Sequence, residues 1–126
     1  MSSLTAAKPI TFILVRDRER ARGFYEGVLG LTRLREDHFA IVYDLAGTPL
    51  RVTTVEGYQP HPHTVIGWQV TDIVAVAREL SAKGVKFAVY PGMGQDELGI
   101  WSTPDGGGKV AWFHDPDGNN LSLTQG

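Results

Sequence analysis

The chain states nearly the same thing twice. The stretch ILVRDRERARGFYEGVLGL, from Ile13, and the stretch WQVTDIVAVARELSAKGVKF, from Trp68, share one plan: a β-rich run, an Asp, a helical stretch and a Gly. Asp17 matches Asp72 at an offset of 55 residues. An internal duplication restricts the fold to architectures built from two like supersecondary units, and no other feature of the chain excludes so much. Both Asp residues stand where a helix N-cap belongs, accepting bonds from N–H groups that the first turn leaves unpaired. Ala21, Phe24, Tyr25, Val28 and Leu29 fall on one face of the first predicted helix. Ile73, Val76, Ala77 and Leu80 do the same in the second, and Gly30 and Gly84 suit helix-ending left-handed positions.

A second match follows each helix. FAIVYDLAGTPLRVTT, from Phe39, pairs with VAWFHDPDGNNLSLTQ, from Val110, at an offset of 71, and both read as hairpins. The change of offset from 55 to 71 puts about 16 extra residues between the second helix and its hairpin. They lie within YPGMGQDELGIWSTPDGGG, residues 90–108, which reads as a Gly-rich lid with one short strand around Leu98 to Ser102. The expected architecture is α+β: two βαβββ modules in tandem, about residues 9–57 and 64–125, making a curved mixed sheet within a single domain over 1–126.

Composition removes whole classes of function. The net charge is -2 and no Lys/Arg run tracks a phosphate backbone, so nucleic acid is not an expected partner. No apolar stretch approaches the ~20 residues needed to cross a bilayer. MSSLTAAKP has no apolar secretory core, and a cytoplasmic location is expected. Without cysteine there is no disulfide, thiolate nucleophile or Cys-bound metal. A phosphate-binding Gly loop, a Gly-x-Ser-x-Gly elbow and a His-Glu-x-x-His helix are all missing.

The paired modules, Asp17 followed by FYEGVLGL (24–31) and DPDGNNLSL (115–123) make the chain resemble the vicinal oxygen chelate superfamily. That group holds glyoxalase I, extradiol dioxygenases, fosfomycin-resistance enzymes and bleomycin-resistance proteins. The likeness runs from about Pro9 to Gln125. Metal-using members supply one ligand from the first and one from the last strand of each module, all facing a concave surface. Carried over by spacing, those positions fall on Ile10, Val65, Arg51 and Ser122. Ile10 and Val65 have no donor, Arg51 is a permanent cation and Ser122 is a weak neutral oxygen, so no metal and no cofactor are expected there.

Strand parity puts Phe12 and Leu14 with Ile10, Thr53 with Arg51, and Trp112 opposite Ser122. Trp101 and Tyr90 stand within or beside the insert, where they could close over the mouth of a pocket, and Trp68 is assigned to the core. The leading reading is a metal-free protein resembling the bleomycin-resistance branch, binding a small, partly aromatic or anionic molecule in an apolar concavity. Ile10, Phe12, Leu14, Val65, Trp101 and Trp112 would form walls; Arg51, Thr53 and Ser122 would orient the ligand. A homodimer is expected, because an open apolar sheet is a liability for a monomer. Two alternatives stay open: a metal-dependent lyase, isomerase or dioxygenase with ligands displaced to Glu56, His61, His63 or His114, and a metal-independent enzyme in which Arg51 stabilises an oxyanion.

Overall fold

The structure, a computed structural model, describes residues 3–126. Two compact units divide the chain, the first ending at Gln59 and the second running from Pro60 to Gly126. In the first, a short 3-10 turn at Ser3–Thr5 precedes β1 (Thr11–Val15), α1 (Arg18–Arg22), β2 (Thr32–Glu36), β3 (Ala40–Leu45) and β4 (Thr48–Thr54). These form a four-stranded sheet ordered β1-β4-β3-β2. β1 and β4 run parallel, and the other neighbours are antiparallel. The second unit repeats the plan with β5 (Thr64–Gln69), α2 (Ile73–Ala82), β6 (Trp101–Ser102), β7 (Lys109–His114) and β8 (Asn120–Gln125), ordered β5-β8-β7-β6. The expected α+β architecture of tandem βαβββ modules is therefore present, with a mixed sheet in each unit.

Both helix starts follow from their Asp residues. Asp17 and Asp72 are extended, and each side chain accepts a bond from the N–H three residues on, Arg20 and Ala75, at 3.1 Å. The first helix departs from the predicted regular stripe. After Arg22 it widens into a π-helical stretch at Gly23–Val28, closed by Leu29 N–H donating to the Phe24 carbonyl at 2.9 Å. Wide turns of this kind add a residue per turn, so α-helical spacing no longer places every apolar side chain inward. Ala21, Phe24 and Tyr25 are buried, while Val28 and Leu29 are only half-buried. Tyr25 packs edge-on to Phe24 and 6.1 Å from the Tyr43 ring, against a sheet face made by Ile13, Val15, Ile41, Leu50 and Val52.

In the second unit Ile73, Ala77 and Leu80 of α2 cover Ala111, Phe113, Leu121 and Leu123. Trp68 stacks on Phe113 at 6.4 Å, half-buried at the margin of this core rather than within it. The two hairpins differ in their links, two residues against five, and in consequence the pairing of the second is shifted by one residue relative to the first. The β3–β4 link is a two-residue turn, Ala46 and Gly47, both with positive φ, and Asp44 Oδ1 accepts the Gly47 N–H at 2.8 Å. The β7–β8 link spans 115–119, organised by Asp115 Oδ1, which accepts the N–H groups of Asp117 and Asn119, both at 2.9 Å. Ser122 consequently matches Arg51 at an offset of 71, but Trp112 matches Val42 at an offset of 70.

The Gly-rich insert is more organised than a lid of that composition suggests. Gln95 Nε2 donates to the carbonyls of Ala88 and Gly99 at 2.8 and 2.7 Å, and its Oε1 accepts the Tyr90 N–H. Asp96 Oδ1 accepts from Leu98 and Ile100, both at 2.9 Å, and Ile100 is buried. The predicted short strand is β6, the two residues Trp101 and Ser102.

Candidate functional site

Each sheet has one face covered by its helix and one left for other work. In the second unit that open face carries the row Gly67, Ser122, Trp112, set by the ladder pairs Gly67↔Ser122 and Trp112↔Ser122. Period-two alternation turns Leu121 and Leu123 inward, which forces Ser122 to this side. Ser122 is buried, and its Oγ lies directly over Gly67, in the space that a Cβ at that residue would occupy. The missing side chain at Gly67 is what lets the hydroxyl lie flat on the sheet. Trp112 rises beside it. Tyr90 meets Trp112 edge-on at 5.7 Å, and Trp101 lies 6.3 Å away on the other β7 neighbour. The arrangement is a low polar strip, Gly67 and Ser122, bounded by an aromatic wall of Trp112, Trp101 and Tyr90. Flat rings bind such walls by offset or edge-on contact.

The first unit's open face carries the equivalent row Phe12, Arg51, Val42, Arg35. Leu14 and Thr53 occupy the next row, opposite Ala40. Arg51 and Thr53 are half-buried and Phe12 is largely exposed. Three other arginines near β2 are committed to Glu36. Arg22 holds Glu36 through two 2.8 Å bonds, joined by Arg18 at 3.2 Å and Arg33 at 3.1 Å. Arg22 first, and then Arg18, hold the Glu36 carboxyl down at about 2. Among the described residues Arg51 has no side-chain hydrogen bond or ion pair of this kind, so its guanidinium is available.

Two of the first-strand positions assigned by spacing are not ladder partners of the last-strand positions. Ile10 precedes β1 and is exposed, so it is not the ladder partner of Arg51; Phe12 is. Val65 falls at a register shift between Thr64 and Ile66, and Gly67 instead stands opposite Ser122. In each unit the ladder partner of the last-strand position lies two residues beyond the first-strand position that the resemblance marks. Gly67 was legible in principle, since adding the 55-residue offset to Phe12 reaches it. Arg35 carries no such signal: it lies on β2, whose run TRLRE has a single apolar residue, Leu34.

A model of the Glyoxalase/Bleomycin resistance protein/Dioxygenase superfamily matches residues 8–123. The chain belongs to this superfamily. Solved structures of the same fold include the glyoxalase family protein from Enterococcus faecalis, 19% identical with a TM-score of 0.76, covering 96% of this chain and 98% of that one. The fosfomycin resistance protein FosX from Listeria monocytogenes is 14% identical with a TM-score of 0.74, covering 96% and 93%. An antibiotic binding protein from Streptomyces sp. CB03234 is 23% identical with a TM-score of 0.67, covering 95% and 97%. At these identities the likeness is one of fold. A comparison with curated sequences finds no match.

Superfamily members that use a metal need three or four convergent donors, and the residues here do not fit one. Phe12, Ile10, Gly67 and Val65 offer no side-chain donor, and the Arg51 charge opposes a cation. The displaced set does not assemble either. His61 and His63 are exposed with ring centroids 6.1 Å apart, and His114 is exposed at the end of β7. Glu56 is exposed in the first unit, and among the described residues no three His, Asp or Glu side chains gather as a metal site. No helix among the described residues is long and apolar enough to cross a membrane.

Proposed function

We propose that this superfamily member binds a small, partly aromatic or anionic molecule without a metal, as a homodimer. The observation that carries the reading is the row Gly67, Ser122, Trp112 with Tyr90 and Trp101 beside it. An aromatic wall next to the Ser122 hydroxyl is the composition of a small-molecule site: apolar area for affinity and a sparse polar group for orientation. Relatives of the same fold that are named for antibiotic binding and fosfomycin resistance lend the reading plausibility in kind. The experiment is a titration with planar aromatic probes, naphthoate and naphthol, followed by tryptophan fluorescence with and without a chelator. Saturable quenching that survives the chelator and disappears in Trp112→Ala is the expected result. No saturable signal from any probe at millimolar concentration, or a signal that needs added metal, would overturn it.

Arg51 favours a second reading, a metal-independent enzyme in which the guanidinium stabilises a developing oxyanion. Turnover of an enolisable ketone panel, lost in Arg51→Gln while naphthol still quenches Trp112, separates it from simple binding.

A further inference from the structure

We propose that Arg35 and Arg51 act together as an oxyanion clamp on the first sheet, on the face away from its helix, holding the carboxylate or phosphate group of an anionic ligand. Val42 of β3 is the ladder partner of both, Arg51 on β4 and Arg35 on β2. Directly opposed residues in antiparallel ladders point to the same face, so the two arginines flank Val42 on one side of the sheet. Neighbouring strands are ~4.8 Å apart, which puts the two Arg backbones ~10 Å apart across β3. Two side chains of that length can close over the buried Val42 between them.

The contrast with nearby arginines supports the assignment. Arg18, Arg22 and Arg33 all converge on Glu36, and Arg16 donates to the Tyr58 carbonyl at 2.8 Å. Arg35 and Arg51 have no comparable side-chain partner among the described residues. The acid nearest in effect is Asp37. Its carboxyl is held below the ordinary range mainly by the N–H groups of Phe39 and Ala40, at 2.8 and 3.0 Å, and further by the Arg51 and Arg35 charges. One carboxylate already engaged by two backbone donors leaves two guanidinium groups under-compensated. Guanidinium forks match carboxylate and phosphate oxygens in pairs, and Val42 gives them an apolar floor. Phe12, on the far side of Arg51, offers a ring edge to an aromatic acid.

The inference goes beyond the binding reading by adding an anion site on the first unit, and it is tested without the aromatic wall. Benzoate and inorganic phosphate are titrated separately into the full chain while the Arg Nε–H signals are followed by NMR. Either probe should move the Arg35 and Arg51 signals together, with affinity falling about tenfold or more in Arg35→Gln and in Arg51→Gln. Arg78→Gln, on exposed helix surface, should leave the titration unchanged. Response to benzoate alone assigns a carboxylate, and response to phosphate alone a phosphoryl group. No movement of either signal, movement of Arg51 alone, or unaltered affinity in Arg35→Gln overturns the clamp. Failure of the aromatic reading shows separately, as absent Trp112 quenching by naphthol in protein whose arginines still respond.

Discussion

At the residue scale, charge is spent unevenly on one corner of the first unit. Glu36 gathers Arg18, Arg22 and Arg33, and its depressed carboxyl has a definite consequence for acid stability. A group whose folded value lies below its unfolded value stabilises the fold above the unfolded value and loses that contribution as pH falls. The relevant window runs from 4.5 down to about 2. In Glu36→Gln the acid limb of the melting temperature against pH should flatten across that window. The gap between the two proteins should be widest near neutrality and close toward pH ~2. The cluster is surface-exposed, so 1 M salt should narrow the gap at pH 7. Parallel curves for the two proteins would show that the arginines contribute nothing through this carboxylate.

At the scale of elements, the repeat made most of the fold legible. Two Asp caps, two hairpins and alternating Leu121, Ser122 and Leu123 each reflect local chemistry, so spacing alone places them. What sequence spacing missed came from one-residue irregularities. The π-helical stretch at Gly23–Val28, the register shift at Val65 and the longer 115–119 loop each displace side chains without changing the element order. A one-residue slip moves every later side chain in a strand to the other face, and for this reason site residues were harder to place than strands. The 90–108 insert, read from its glycines as a lid, carries internal bonds of its own: Gln95 joins Ala88 and Tyr90 to Gly99 through three hydrogen bonds. Gln95→Ala strands the Tyr90 N–H and two carbonyls, and it should destabilise the second unit by roughly 1–3 kcal/mol. Hydrogen exchange checks this at Ile100: its amide, bonded to Asp96, should be protected in the native chain and exchange faster in the variant. Fast exchange already present in the native protein would instead support a mobile lid.

At the scale of the whole molecule, the unresolved tension is apolar surface. Phe12 is 60% exposed, Ile10 52% and Leu14 37%, along or beside β1, a strand with only one ladder neighbour in its sheet. An edge strand carrying large apolar side chains invites pairing with another chain unless something covers it, and β1 has neither proline nor charge to discourage it. A second copy is the cover that the protein always has available, and symmetric association places the same patch of both copies in contact. Sedimentation velocity at micromolar concentration should therefore give a species of twice the 13.8 kDa chain mass. Leu14→Glu introduces a charge that such an interface would have to desolvate, and it should shift the equilibrium toward monomer while the variant keeps its native circular dichroism spectrum. Phe12 is the less suitable site for this test, since it also flanks Arg51 and a substitution there would disturb two functions at once. A native chain that sediments only at monomer mass would sink the dimer. The exposed row of Ile10, Phe12 and Leu14 would then have to be explained as ligand-contacting surface, and adding naphthoate should protect the β1 amides from exchange.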